Sequence, residues 1–126
     1  MEETIRILVV DDEPDIRRIC RILLENSGYT VLEAATGLEA VETIRRCPEI
    51  DLILMDIMMP VMDGLTATKA IRSLKHPDAE TIPIIAMTAN AFREDKENCL
   101  AAGMNAHLVK PVKIENVKKI LCDYSV

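Results

Sequence analysis

The segment Ile5-Arg-Ile-Leu-Val-Val-Asp-Asp12 decides the fold class, because a nearly continuous apolar run ends abruptly in two aspartates. Runs of this kind form strands that are covered on both faces, as in parallel α/β sheets. The segments Leu52-Ile-Leu-Met-Asp56 and Ala106-His-Leu-Val-Lys-Pro111 repeat the pattern, each with a charged residue near its end. The C-termini of parallel strands share one edge of the sheet, where ligands bind. We therefore expect three carboxylates and one lysine to meet at that edge.

Apolar segments alternate with amphipathic segments along the chain, which is typical of repeated βα units. We predict strands over residues 5–10, 30–33, 51–55, 83–87 and 106–109. The first helix begins at Pro14, and the second begins at a capping box formed by Thr36 and Glu39. The other helices are predicted around residues 65–74 and over residues 91–102 and 113–123. The fold class is therefore α/β, and residues 1–126 are predicted to form a single domain.

Apolar residues at helical spacing mark the helix faces that are expected to pack on the sheet. In the first helix these residues are Ile16, Ile19, Cys20, Leu23 and Leu24. In the second helix they are Leu38, Val41 and Ile44. Gly28 and Gly103 follow predicted helices, where a residue with positive φ commonly ends the helix.

Composition and charge exclude several classes of protein. Hydrophobic residues make up 49% of the 126, so we expect a packed core rather than disorder. No apolar stretch approaches the roughly 20 residues of a membrane span, and the N-terminus lacks the features of a secretory signal. The net charge of −6, without a basic cluster, argues against direct contact with nucleic acid. We expect a soluble, cytoplasmic protein without membrane insertion, whose four cysteines are reduced.

The carboxylates at the sheet edge need a counter-ion, because three like charges in one pocket repel each other strongly. A divalent ion that prefers oxygen ligands would join Asp11, Asp12 and Asp56. A carboxylate beside such an ion, with Lys110 nearby, is suited to accept a phosphoryl group.

Each candidate residue also has an ordinary structural explanation. Asp11 or Asp12 would cap the first helix, Thr88 would cap the fourth, and Lys110 would be a solvated surface lysine. In the functional interpretation, the Thr88 hydroxyl and the backbone N–H of Ala89 donate to a phosphoryl oxygen instead. The clustering of polar residues just beyond several buried strands favours the functional interpretation.

With these motifs the chain resembles the receiver domains of bacterial two-component response regulators. The matching segments are Val10-Asp-Asp12, Met55-Asp-Ile-Met-Met-Pro60, Met62-Asp-Gly64, Met87-Thr-Ala89 and Lys110-Pro111. The segment Ile82-Pro-Ile-Ile-Ala-Met-Thr-Ala-Asn-Ala-Phe92 looks most like receivers attached to hybrid sensor kinases. The resemblance implies a flavodoxin-like, doubly wound sheet of five parallel strands in the order 2-1-3-4-5.

The resemblance also implies a role for each residue of the site. Asp56 looks like the phosphate acceptor, and Thr88 and Lys110 would hold the phosphoryl group. A cis peptide bond between Lys110 and Pro111 is implied as well. The implied Mg²⁺ ligands are Asp11, Asp12, Asp56 and the backbone carbonyl of Met58, with Asp11 acting through a water molecule.

By the same resemblance the chain relays a signal and is not a turnover enzyme. A phosphohistidine on a sensor histidine kinase would donate its phosphoryl group, and a histidine phosphotransfer domain is a further expected partner. Phosphorylation would move Thr88, change the surface around the fourth and fifth helices, and end by self-dephosphorylation. We expect a monomer or weak dimer.

Three positions carry expectations specific to this chain. Family members usually have Tyr or Phe three residues before the lysine, where this chain has His107. In one interpretation His107 turns inward when Thr88 moves to the phosphoryl group, and in the other it is a half-exposed strand residue without a role. Met58 and Asn90 each lie two residues beyond a site residue, so both are expected to govern water attack and the phosphoryl lifetime.

Two other functions remain open at this point. An aspartyl-phosphate phosphatase would need a second acid near the nucleophile, but Met58 stands two residues after Asp56. A flavin-binding domain of the same topology would need a hydroxyl- and glycine-rich phosphate loop after the first strand. Asp11-Asp-Glu-Pro14 would repel a phosphate there.

Overall fold

The computed structural model describes residues 4–47, 49–59, 61–74, 79, 81–89 and 93–124, with residues 93–96 described by their backbone alone. Within these residues, no helix combines the length and the apolar character needed to cross a membrane. The four cysteines all lie in the described part and form no disulfide.

The fold is a five-stranded sheet with the strand order β2-β1-β3-β4-β5, and every neighbouring pair of strands is parallel. The strands are β1 (Arg6–Val10), β2 (Thr30–Ala34), β3 (Leu52–Asp56), β4 (Ile84–Thr88) and β5 (Ala106–Val109). The helices are α1 (Pro14–Asn26), α2 (Gly37–Arg46), α3 (Gly64–Arg72), α4 (Arg93–Ala102) and α5 (Ile114–Asp123). The predicted class and strand order are therefore confirmed.

Some element bounds differ from the predicted ones, and two differences concern the site. Asp56 and Thr88 are the last residues of β3 and β4, whereas the predicted strands stopped one residue earlier. Both residues remain in the parallel ladder, since Asp56 pairs with Met87 and Thr88 pairs with Val109. The predicted fourth helix began at residue 91, but residues 91–92 lie outside the described part.

The sheet separates two apolar cores, because side chains alternate between the faces of a strand. In β1, Ile7 and Val9 pack with residues of α1 and α5. Leu8 and Val10 pack on the opposite face with residues of α2, α3 and α4. We call these the α1/α5 face and the α2–α4 face.

The helix-face predictions were partly wrong. Ile19 is 51% exposed and Leu38 is 60% exposed. The buried residues of α2 are Gly37, Ala40, Val41 and Ile44, so Leu38 lies about 100° away from the start of that stripe. The predicted capping box of α2 is confirmed in part, because Glu39 N donates to Thr36 Oγ1 at 3.0 Å. The Glu39 carboxylate accepts from Ala35 N, one residue before the cap, at 2.8 Å.

Arg72 joins several segments at the edge of the sheet opposite to the strand C-termini. Its guanidinium donates to the carbonyl of Gly103 at 2.8 and 3.0 Å. It also donates to the carbonyls of Ala79 and Ile82 and to Asn105 Oδ1. Burial lowers the pKa of Arg72. These bonds fix the end of α3 to the segments that enter β4 and β5.

Candidate functional site

The register of the sheet brings the charged strand ends together. Val10 pairs with Met55, so Asp11 and Asp56 follow on adjacent strands. Asp11, Asp56 and Lys110 each continue the alternation on the α1/α5 face, following Val9, Leu54 and Leu108 of that core. Thr88 follows Ala86 of the other core and continues the α2–α4 face.

Lys110 forms an ion pair with two buried carboxylates. Its Nζ lies 2.8 Å from Asp11 Oδ2 and 3.3 Å from Asp56 Oδ1. The first contact is short, but it lacks the angles of a hydrogen bond. Asp11 is 0% exposed and Asp56 is 3% exposed. Burial alone would lower the pKa of Lys110, but the two carboxylates outweigh it, so the net pKa is raised and the ammonium stays charged.

The surroundings of Asp56 act on the pKa of its carboxyl group in both directions. Burial raises the pKa of Asp56, and the nearby Asp11 raises it further. A hydrogen bond from Met58 N to Asp56 Oδ1, at 3.1 Å, and the charge of Lys110 both act in the opposite direction. The net pKa is raised. Both of these contacts are made by Oδ1, and within the described residues no hydrogen bond reaches Asp56 Oδ2.

Asp11 is fixed through both its backbone and its side chain. Its N–H donates to Ala34 O at 3.1 Å, and its Oδ1 accepts from Glu13 N at 2.9 Å. Its carbonyl accepts from Arg17 Nη1 at 2.7 Å. The alternative prediction, in which Asp11 or Asp12 caps α1, is wrong, because the N-cap of α1 is Glu13 and no side chain caps the helix.

The three aspartates form a set of oxygen ligands suited to a divalent cation. Asp11, Asp12 and Asp56 each place a carboxylate oxygen within 4.8 Å of the others. Asp11 and Asp56 are buried, and Asp12 is partly exposed. Three carboxylates beside one ammonium leave an excess of negative charge, which a hard cation such as Mg²⁺ would offset. The three carboxylates therefore suit a Mg²⁺ ion.

Thr88 has a buried hydroxyl that is available for a new hydrogen bond. Its Oγ1 is buried and has no hydrogen-bond partner in the described part of the chain. Its carbonyl accepts from Lys110 N at 2.8 Å, which ties the ends of β4 and β5 together. The Lys110–Pro111 bond that follows is cis, as predicted. Ala89 comes directly after β4 and is exposed.

The loop between β3 and α3 packs tightly under Asp56. Gly64 N donates to Ile57 O at 3.2 Å, and a Cβ on Gly64 would lie 2.3 Å from the Asp56 carbonyl oxygen. Met58 is 76% exposed, and Val61 has a fully exposed side chain. Val61 also has a φ of 66°, a strained conformation for a β-branched residue. Such strain is concentrated at functional sites.

Comparison with known protein families supports what this geometry indicates. Residues 7–122 match the response regulator receiver domain. The chain belongs to this family. As a receiver domain of two-component signalling, it is of the kind that accepts a phosphoryl group rather than turning over a substrate.

Relatives of this receiver are found within much longer signalling proteins. The sensor histidine kinase RcsC of Escherichia coli is 40% identical over 119 residues, which cover 94% of this chain and 12% of RcsC. The hybrid signal transduction protein dokA of Dictyostelium discoideum is 41% identical over 118 residues, covering 94% of this chain and 7% of dokA. The chain thus spans a small part of each. The expected resemblance to receivers of hybrid sensor kinases is confirmed.

Solved structures show the same fold over nearly the whole chain. The receiver domain of sensor histidine kinase PA1611 from Pseudomonas aeruginosa, with a magnesium ion coordinated in its active site cleft, is 41% identical with a TM-score of 0.85. The alignment covers 97% of this chain and 98% of that one. The receiver domain of Saccharomyces cerevisiae Ssk1, crystallised with the phosphotransfer protein Ypd1, is 27% identical with a TM-score of 0.84. That alignment covers 98% of this chain and 90% of that chain.

The remaining predicted residues of the receiver lie around this centre or outside the described part. His107 lies on β5 beside Ala86, so it occupies the same sheet face as Thr88. Asn90 falls outside the described residues. The Thr88 hydroxyl makes no hydrogen bond within the described residues, so it caps no helix there. Arg17 was not predicted as a site residue, since the sequence shows an ordinary helical arginine there.

Proposed function

We propose that Asp56 accepts a phosphoryl group from a phosphohistidine of a partner protein, in a Mg²⁺-dependent reaction. One observation carries the proposal. Asp56 is a buried carboxylate with one oxygen held by Met58 N and Lys110, while the other has no hydrogen bond within the described residues. Family membership supplies the reaction class, and the geometry supports Asp56 as the acceptor.

The transfer forms one bond and breaks another. An Asp56 carboxylate oxygen attacks the phosphorus, the P–N bond of the phosphohistidine breaks, and the departing imidazole nitrogen takes up a proton. Lys110 keeps its positive charge beside Asp56 and stabilises negative charge on the transferring oxygens. The Thr88 hydroxyl and the Ala89 N–H donate to those oxygens after the transfer.

Asp11, Asp12, Asp56 and the Met58 carbonyl are the proposed ligands of Mg²⁺. When bound, the ion offsets charge on the phosphoryl oxygens. Asp11 is held most firmly of the three aspartates, through its N–H, its carbonyl and Oδ1. Of the proposed ligands, Asp11 is thus the one held in place before the ion binds.

Self-dephosphorylation is part of the proposal and depends on access for water. The Met58 side chain is exposed beside Asp56 and carries no group that would activate a water molecule. The same feature disfavours an aspartyl-phosphate phosphatase, which would need an acid at this position. Asn90 is the second proposed gate, and it lies outside the described residues.

The output is a change of surface that begins at Thr88. Phosphorylation adds negative charge and acceptor oxygens, which draw the Thr88 hydroxyl towards Asp56 from the α2–α4 face. Val109 and His107 lie on the neighbouring strand of that face. A groove of about 640 Å³ runs between β5 and α5 and includes Lys113 and Lys119 in its lining. We propose that this side of the receiver exchanges partners, through a shift between two populations.

The proposed partners are a sensor histidine kinase and a histidine phosphotransfer protein. RcsC is a sensor histidine kinase, and the receiver of Ssk1 is crystallised with such a phosphotransfer protein. Exposed Met58 and Val61 give the rim beside Asp56 an apolar surface for docking. A cytoplasmic location, a single receiver domain over residues 1–126, and a monomeric or weakly dimeric state belong to the same proposal.

The proposal is tested by mapping the modified residue. The protein is incubated with a small acyl phosphate and Mg²⁺, and its peptides are examined by mass spectrometry. We expect one phosphoryl group on Asp56, no labelling of Asp56→Asn, and no labelling when divalent cations are chelated. Asp51→Asn is the matched control, because Asp51 lies at the other end of β3 and accepts from Arg6 N. Labelling that persists in Asp56→Asn would reject Asp56 as the acceptor.

A further inference from the structure

Arg17 connects α1 to the backbone of the acidic pair. Its Nη1 donates to Asp11 O at 2.7 Å, and its Nε donates to Glu33 Oε1 at 3.3 Å. The Arg17 side chain is only 17% exposed, although it lies on a surface helix. Both bonds come from one planar guanidinium, so Glu33, the penultimate residue of β2, fixes the orientation in which Arg17 reaches Asp11.

The carbonyl that Arg17 holds belongs to the peptide group between Asp11 and Asp12. The direction of this peptide group determines where the Asp12 side chain leaves the backbone. The Asp11 side chain has its own partners in Glu13 N and Lys110. Within the described residues, by contrast, no hydrogen bond is made by the Asp12 carboxylate. Asp12 therefore depends on its backbone for its position.

We propose that Arg17 is a positioning residue, which sets the Mg²⁺ affinity of the site by fixing the peptide group between Asp11 and Asp12. The inference rests on the proposed function and adds to it a residue that does not itself touch the ion. Partners outside the ligand shell commonly set metal affinity in this way, and their loss weakens binding roughly 10- to 100-fold.

The surrounding charges allow position to be separated from charge. Arg21 Nη1 donates to Glu33 Oε2 at 2.7 Å, and Arg21 Nε donates to Glu25 at 2.7 Å. Arg17, Arg21, Glu25 and Glu33 together carry two positive and two negative charges. Either arginine can be neutralised with the same change in net charge, but only Arg17 reaches Asp11.

The first experiment compares Arg17→Gln with Arg21→Gln. The Mg²⁺ dissociation constant is measured by calorimetry, and the labelling rate with a small acyl phosphate is followed across Mg²⁺ concentrations. We expect Arg17→Gln to weaken Mg²⁺ binding about tenfold. Its labelling rate should return to the wild-type value at saturating Mg²⁺, because Asp56 and Lys110 are intact. Arg21→Gln should stay within about twofold of wild type.

The second experiment repeats the comparison with Arg17→Lys and Arg21→Lys, which preserve charge and guard against misfolding of the glutamine variant. A lysine ammonium is a point donor and cannot reproduce both bonds of the guanidinium. We expect an intermediate loss of Mg²⁺ affinity for Arg17→Lys and none for Arg21→Lys. Urea unfolding without Mg²⁺ identifies any variant with a general loss of stability. In such a variant, saturating Mg²⁺ would not restore the wild-type labelling rate.

The possible outcomes distinguish a failure of the positioning role of Arg17 from a failure of the proposed function. Equal losses in the Arg17 and Arg21 variants would show a charge effect and overturn the positioning role. Unchanged affinity in both Arg17 variants would overturn it as well, while leaving Asp56 as the acceptor. A wild-type chain that neither binds Mg²⁺ nor becomes labelled would reject the proposed function, and the inference with it.

Discussion

Asp56 is the residue at which stability and the proposed function conflict. Its carboxylate is 3% exposed, and burial followed by the charge of Asp11 raises its pKa. One hydrogen bond from Met58 N and one ammonium at 3.3 Å do not cancel these effects. Ionisation of Asp56 in the metal-free protein therefore costs folding free energy, and a bound cation would relieve that cost.

We predict that Asp56→Asn stabilises the metal-free protein at pH 7, by about 1 kcal/mol, the scale of a typical single substitution. Asparagine keeps the oxygen that accepts from Met58 N and removes the repulsion with Asp11. The measurement is urea unfolding in a chelating buffer, with Asp51→Asn as the control. If Asp56→Asn were less stable than wild type, burial and the charge of Asp11 would not outweigh the contacts of Asp56 with Met58 N and Lys110.

The raised pKa of Asp56 also determines how the free energy of unfolding depends on pH. Because the folded pKa of Asp56 is raised, the protonated carboxyl favours the folded state. That contribution is complete below the unfolded pKa of about 3.9 and is lost as the pH rises through the folded value. The advantage of Asp56→Asn should therefore disappear on acidification. Added Mg²⁺ should stabilise wild type more than the variant, since it binds the folded state.

At the scale of elements, the junction between β3 and α3 fixes the backbone beneath Asp56. Gly64 is the first residue of α3. The N-cap of this helix is Asp63, whose Oδ1 accepts from Thr66 N at 2.8 Å. A Cβ on Gly64 would approach the Asp56 carbonyl oxygen to 2.3 Å and Ile57 Cα to 2.8 Å. Both neighbours are backbone atoms, so the helix and the strand would have to move apart.

We predict that Gly64→Ala lowers the free energy of unfolding by about 2–3 kcal/mol, as overpacking usually does. It should also weaken Mg²⁺ binding, because Asp56 moves with its carbonyl. Gly28→Ala is the control: Gly28 has a φ of 91° but open space around it. That variant should lose about 1 kcal/mol through backbone strain and keep its Mg²⁺ affinity. Equal Mg²⁺ affinities in the two variants would show that the junction does not position Asp56.

The elements themselves were predictable where the cause is local. The strands were located to within about a residue at each end, because continuous apolar runs followed by charges mark buried parallel strands. Leu38 was assigned to the wrong face, since spacing alone does not select among neighbouring stripes of a short helix. Arg17 and Arg72 were missed for a different reason. Their partners Glu33 and Gly103 lie 16 and 31 residues away, and only the tertiary fold brings them near.

Across the whole molecule, the sheet separates the site from the surface that is proposed to respond. Asp11, Asp56 and Lys110 continue the α1/α5 face, whereas Thr88 and His107 belong to the α2–α4 face. A phosphoryl group on Asp56 can therefore reach the responding face through Thr88. The edge that holds Arg72 is tied by several hydrogen bonds and should stay still. We therefore expect motion to be confined to the end of the sheet that carries the site.

His107 is placed to report this motion. It pairs with Ala86, two residues before Thr88, and it is half-buried. A cavity of about 250 Å³ between α4 and β5 is lined by His107 together with Cys99, Leu100, Met104, Asn105 and Ala106. The ring therefore has apolar space beside it when Thr88 moves. This space is the structural support for the inward turn expected from the sequence.

We predict that phosphorylation, or beryllofluoride with Mg²⁺, changes the His107 ring environment while the chain's other histidine, His76, stays constant. The ring-proton resonances of the two histidines are followed by NMR and assigned with His76→Gln. The His107 signals should shift because the ring enters the cavity, and Thr88→Ala should abolish the shift by removing the hydroxyl that moves. Asp56→Asn should show no change, since it lacks the acceptor. A His107 shift that survives Thr88→Ala would reject the route through Thr88, and unchanged signals in the wild-type protein would leave His107 outside the switch.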